Sequence, residues 1–142
     1  PDPWLRDRVT RQGDLSHYNS CNVLSLHALL GAYSDEGAQW LDELRPVLAD
    51  NIRYACDFIA AHFPGVQVMQ PQGTYMLFLD CAAWLQEHHM TLRELEERGA
   101  RAGVIWQDGA AFAWPDSIRM NLALPHSRLV EAMERLRKYA FC

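Results

Sequence analysis

One arginine is set apart by its surroundings. In "SIRMNLAL", residues 117–124, Arg119 lies inside a run that is otherwise apolar and strand-like. A guanidinium in such a place costs several kcal/mol unless something anionic meets it. Its planar fork suits two parallel hydrogen bonds to a carboxylate. That carboxylate is either an internal Asp or Glu or the acid group of a bound molecule, and the residues alone leave both open. Just upstream, "QDGAAF" (107–112) holds Gly109, which permits a positive φ and a close backbone approach. "PQGTY" (71–75) offers a second tight turn at Gly73, followed by Tyr75. Taken alone, each glycine loop reads first as a plain connection between strands, and Tyr75 as a core aromatic.

Other chemistries find little support. The adjacent histidines of "EHHM" (87–90) do not share a helix face, and there is no HExxH or i,i+4 histidine pair. His17, His27, His62 and His126 are scattered singly. There is no GxSxG elbow, no GxGxxG and no phosphate-binding Walker loop. The cysteines, Cys21, Cys56, Cys81 and Cys142, follow no CxxC spacing and read as reduced thiols of a cytoplasmic protein. Lys138 is the sole lysine; every other cationic side chain, histidine aside, is arginine.

The elements that would carry these residues follow from periodicity. "PDPWLRDRVTRQ" is a short helical stretch and "GDLSHYNS" (13–20) a loop. A helix is expected over 22–33, with Val23, Leu26, Leu30 and Tyr33 at helical spacing. Ser34 caps the next helix, which keeps its apolar phase from Trp40 to His62 across a kink at Pro46. "VQVM" and "TYMLFLD" are strands, the second without polar alternation and so expected to be buried on both faces. Helices "CAAWLQEHH" and "MTLRELEERGA" follow, the latter with the Thr91/Glu94 capping-box pattern. "GVIWQ" and "IRMNLAL" complete the strands, "DGAAFAWPDS" is a loop, and Ser127 caps a closing amphipathic helix. The order α-α-β-β-α-α-β-β-α predicts a two-layer α/β sandwich, with helices on one face of a small mixed sheet, in one domain over 1–142.

A chain of 142 residues can build such a core. With a net charge of −5 and no basic cluster longer than "RLRK" (135–138), nucleic acid is an unsuitable partner. No apolar stretch reaches the ~20 residues of a membrane span, and no signal peptide is visible. The chain opens on "PDPWLRDRV" without a methionine and reads as a piece of something longer.

Taken in order, three segments carry a resemblance: "NVLSLHALLGAYSDEGAQWLDELRPVLADNIRYACDFIAAHFPGVQVMQPQGTYMLFLDC", "GVIWQDGAAF" and "SIRMNLALPHSRLVEAMERLRK". Together they resemble the C-terminal, small domain of fold-type I pyridoxal-phosphate enzymes. Within that superfamily the chain is most similar to the aminotransferase-like C–S lyases of cystathionine β-lyase type. The resemblance implies that Arg119 clamps the α-carboxylate of an amino-acid substrate. It places Gly73, Gly109 and Tyr75 on loops near the active site, with Asn121 supporting the arginine's strand. It further implies β-elimination on cysteine-type amino acids such as cystathionine, pyridoxal 5′-phosphate in the full-length parent, and a homodimer. The class I/II aminotransferases share this domain and stand as the alternative. The family holds its cofactor as a Schiff base on a large-domain lysine upstream of this segment. Lys138 instead falls on the closing helix, so this chain alone is expected to hold no cofactor and to be inactive. A stand-alone, non-catalytic interaction module is a further alternative.

Overall fold

A computed structural model describes residues 2–18 and 22–142. The chain divides into two compact units, one reaching Glu43 and the other running from Leu44 to Cys142.

The first unit is helical. Helix α1 spans Pro3–Ser16 and is capped by the Asp2 carboxylate, which accepts from the Trp4 N–H at 2.9 Å. It runs through Gly13–Ser16, where a loop was expected, because Ser16 Oγ donates to the Gln12 carbonyl and keeps the last turn closed. The rest of that expected loop after Tyr18, and Cys21, lie outside the described residues. Helix α2 spans Val23–Ala32 and is capped by Asn22 through the Ser25 N–H at 2.9 Å. Its apolar side chains, Val23, Leu26 and Leu30 among them, are exposed rather than packed. Helix α3, Asp35–His62, begins where Ser34 Oγ accepts from the Gly37 N–H at 3.1 Å, as the cap pattern predicts. It continues through Pro46 as one helix.

The second unit holds the sheet. Its strands are β1 (Gln67–Val68), β2 (Met76–Asp80), β3 (Gln107–Asp108) and β4 (Ser117–Asn121), in the order β1-β2-β4-β3. All three pairings are antiparallel, so the sheet is not mixed as the sequence reading had it. Between β2 and β4 the chain passes through two helices, β3 and a 3-10 turn, and β4 then runs antiparallel to both β2 and β3. Helices α4 (Ala82–Glu87), α5 (Leu92–Arg101) and α6 (His126–Tyr139) complete the α/β layers. The Thr91/Glu94 capping box of α5 is fully formed.

Strict alternation sorts the sheet into two faces. Leu77, Leu79 and Ile118 are fully buried, with Met120 close behind, against Ala55 and Ile59 of α3, Leu95 of α5 and Met133 of α6. Each such side chain contributes about 1.5–3 kcal/mol by leaving water. Met76, Phe78 and Asp80 point the other way and are only half-buried, so β2 is not buried on both faces. Two further expectations fail locally. Val104–Trp106 precede the strand instead of forming it, and α6 opens at His126 with Pro125 at its cap position, so Ser127 lies inside the helix. Pro at a helix entrance has its φ preset and lacks the N–H that would otherwise go unpaired.

No helix among the described residues is long and apolar enough to cross a membrane.

Candidate functional site

The open face of the sheet carries one cross-strand row with chemical character. Phe78 on β2 pairs with Arg119 on β4, and Arg119 pairs in turn with Gln107 on β3. Residues directly opposite in antiparallel strands place their side chains on the same face, within reach of one another. Arg119 is therefore flanked by an aromatic ring and an amide. Its Nε–H donates to Gln107 Oε1 at 2.8 Å, and Nη2 donates to the same oxygen.

A 3-10 turn, Gly109–Phe112, then folds back over the row. Asp108 Oδ1 starts it by accepting from the Ala110 N–H at 2.7 Å. The turn swings the Phe112 ring over the guanidinium, 3.9 Å from its central carbon to the ring centroid. Cation–π contacts of this kind contribute about 0.5–2 kcal/mol, depending on desolvation. Phe112 meets Phe78 edge-on at 5.6 Å, and Trp114 stacks on Phe78 at 6.0 Å, so the ring over Arg119 is itself braced. Ser117 Oγ closes the loop by donating to the Trp114 carbonyl at 2.7 Å.

Gly109 is needed here for a different reason from the one its sequence context implied. Among the described glycines, positive φ belongs to Gly65 and Gly103, not Gly109. A Cβ on Gly109 would stand 1.8 Å from Ser117 Oγ and 2.7 Å from the Trp114 carbonyl oxygen. The turn can lie against β4 only without a side chain at that point.

Among the described residues no carboxylate pairs with Arg119, so the internal ion pair left open by the sequence is not what meets the guanidinium. Its partners are the neutral Gln107 amide and the Phe112 ring. Asn121 lies on the same strand face, and its Oδ1 accepts from the Ala123 N–H at 2.8 Å, ending β4 in a tight side-chain turn. Gly73 and Tyr75 precede β2 beside the β4 exit. The Tyr75 carbonyl accepts from the Leu122 N–H at 2.9 Å. Gly73 is exposed with nothing near its would-be Cβ, and it is Thr74 that takes the left-handed φ of 68°. Among the described residues no hydrogen bond, ion pair or ring contact joins Gly73 or Tyr75 to Arg119. Gln107, Phe112 and Phe78 were not singled out from the sequence. Their only signal there is indirect, a fixed distance from Arg119 that becomes contact through strand register.

Lys138 stands apart from this site. It is exposed on the last turn of α6, with Nζ 5.1 Å from the Tyr139 ring centroid. The core-facing side chains of α6, Leu129, Met133 and Leu136, belong to the buried layer, and Arg119 faces away from that layer.

Residues 10–136 match Aminotransferase class I and II, and the chain belongs to that family. It is 33% identical to Protein MalY of Escherichia coli over 122 residues, covering 83% of this chain and 30% of that protein. It is 35% identical to a cystathionine beta-lyase of Corynebacterium glutamicum over 131 residues, covering 90% of this chain and 31% of the other. Among solved structures it superposes on cystalysin from Treponema denticola, which contains a pyridoxal 5′-phosphate cofactor, with a TM-score of 0.78 and 28% identity. That superposition covers 96% of this chain and 34% of cystalysin. The chain therefore spans about a third of the length of the curated relatives it matches.

Proposed function

We propose that this chain is the C-terminal domain of a pyridoxal-phosphate C–S lyase acting on cysteine-type amino acids such as cystathionine. Its task is to receive the substrate α-carboxylate on Arg119. The reaction is β-elimination: the α-proton is removed, its electron pair forms a Cα–Cβ double bond as the bond from the β-carbon to sulfur breaks, and the departing thiolate takes up a proton. Water then hydrolyses the aminoacrylate left behind to pyruvate and ammonia. The cofactor and the lysine that binds it belong to the rest of the polypeptide, and the working parent is a homodimer. Without that lysine the 142-residue chain neither holds the cofactor nor turns over substrate.

The observation that carries this reading is the guanidinium of Arg119, fixed in place by neutral partners on an open sheet face. A charge already cancelled by a carboxylate would have little left for a substrate. A charge oriented by an amide and a ring retains it, and orientation is what a carboxylate clamp adds to a reaction. The identity to cystathionine beta-lyase of C. glutamicum over 131 residues supports the choice of reaction.

The test is to assay the full-length protein for pyruvate release from cystathionine and for keto-acid-dependent transamination. Pyruvate release, with Arg119→Ala lowering kcat/KM by about 10²-fold or more, is the expected result. Transamination without pyruvate release would replace the lyase by the aminotransferase, with Arg119 in the same role.

A further inference from the structure

Arginine carries five N–H donors in a rigid planar fork. Gln107 takes the Nε–H and one hydrogen on Nη2, both through the single oxygen Oε1. Those donors make up the side edge of the guanidinium. The end edge, formed by Nη1 and the remaining hydrogen on Nη2, has no protein acceptor among the described residues. Phe112 lies over one face of the plane at 3.9 Å and limits its rotation. One edge and one face are thus held, and a second edge of matching geometry is presented.

The chemical type of the holding group matters. An amide and a carboxylate have nearly the same shape, and either could accept along the side edge. A carboxylate there would cancel the cation and compete with any incoming acid group. An amide orients the fork and leaves its charge intact.

We infer that Gln107 is the positioning residue of the carboxylate clamp. It occupies the side edge of Arg119 so that the substrate carboxylate binds the end edge against an undiminished charge. This rests on the reading of Arg119 as the carboxylate receptor. The plainer account is that Gln107 only pairs across strands β3 and β4, and the two differ in whether removing its side-chain acceptor weakens carboxylate binding while the fold holds.

The experiment uses the full-length holoenzyme and its Gln107→Glu, Gln107→Met and Arg119→Lys variants. Propionate is the competing probe, propionamide its neutral control, and the melting temperature is read on each variant. Gln107→Glu keeps the shape and the contact, so the melting temperature holds. Its inhibition constant for propionate and its KM for cystathionine rise about tenfold, the size of one charge-assisted hydrogen bond. Propionamide is unaffected, and the effect on KM exceeds that on kcat. Gln107→Met, which lacks the strong acceptor, weakens propionate by a smaller factor. Wild-type propionate inhibition in Gln107→Met, or in Gln107→Glu, would overturn the inference, as would a loss of affinity that only follows a fall in melting temperature. If Arg119→Lys binds propionate as the wild type does, the carboxylate reading of Arg119 itself fails, and the role of Gln107 falls with it.

Discussion

Asn51 and His126, 75 residues apart in the chain, are joined by a 2.9 Å hydrogen bond between Asn51 Oδ1 and His126 Nδ1. The Asn51 amide is fully buried, and its Nδ2 donates to the carbonyls of Leu122 at 2.9 Å and Leu124 at 2.8 Å. With the nitrogen spent on two carbonyls, the oxygen must face the imidazole, and Nδ1 carries the ring proton. One side chain of α3 thereby pins the segment that leaves β4 and the first residue of α6.

Asn51→Leu keeps the volume and removes all three bonds. It leaves the Leu122 and Leu124 carbonyls without their donor, at a cost of about 2–3 kcal/mol in unfolding free energy. Urea denaturation with an unchanged slope and a lower midpoint is the expected signature. A variant as stable as the wild type would mean that these carbonyls are satisfied without Asn51.

Gly109→Ala tests the steric reading of the 3-10 turn. The new Cβ must displace Ser117 Oγ, backbone at Trp114 or the turn itself. Overpacking of this sort costs about 1–3 kcal/mol. The turn also carries Phe112, so tryptophan and near-ultraviolet signals from Trp114 should shift along with the lower melting temperature. Had the glycine been needed for a positive φ, Asn would be tolerated better than Ala. On the steric account Asn is no better, because both carry the offending Cβ.

How far the sequence reaches can be followed at these same positions. Arg119 was legible because a charge inside an apolar strand is anomalous whatever surrounds it. Strand β2 was legible from its apolar run, but not its half-open face, because Met76 and Phe78 are hydrophobic yet only half-buried. Gln107 was hidden: it sits on an exposed two-residue strand, and only the register that sets it opposite Arg119 gives it meaning. The requirement at Gly109 was misread because its cause, Ser117, lies eight positions later and approaches only after the chain turns back. Asn51 left a trace, a polar residue four positions before Ala55 on the buried stripe of α3, but its partners lie beyond the sheet.

Cys81 gives a pH prediction with a definite sign. Burial, helped by Asp80 and Asp116, pushes its thiol up to about 12, from an ordinary value of 9.0. Between those values the folded state holds a proton that the unfolded state has released. The contribution to stability is complete below pH 9.0 and is lost as pH rises toward about 12. Within that window the slope approaches 1.4 kcal/mol per pH unit, about the value for one linked proton. Cys81→Ala leaves a small cavity and lowers stability at every pH, yet it flattens this part of the curve. Parallel stability curves for the two proteins between pH 9 and 11 would sink the assignment.

Phe112 separates the two ways a ring can serve the arginine, by filling space or by facing the cation. Phe112→Leu retains most of the apolar volume against Phe78 and removes the quadrupole over the guanidinium. If volume alone matters, the variant behaves as the wild type. If the ring's electrostatics hold the fork flat, the side chain of Arg119 gains freedom, and in the full-length protein KM for an amino-acid substrate rises by about three- to fivefold, as expected for a half-exposed cation–π contact. Phe112→Tyr keeps the aromatic face and should restore the wild-type KM. The pattern Leu weak and Tyr normal marks the ring as a brace for charge. Equal behaviour of both variants reduces it to packing, and orientation of Arg119 would then rest on Gln107 alone.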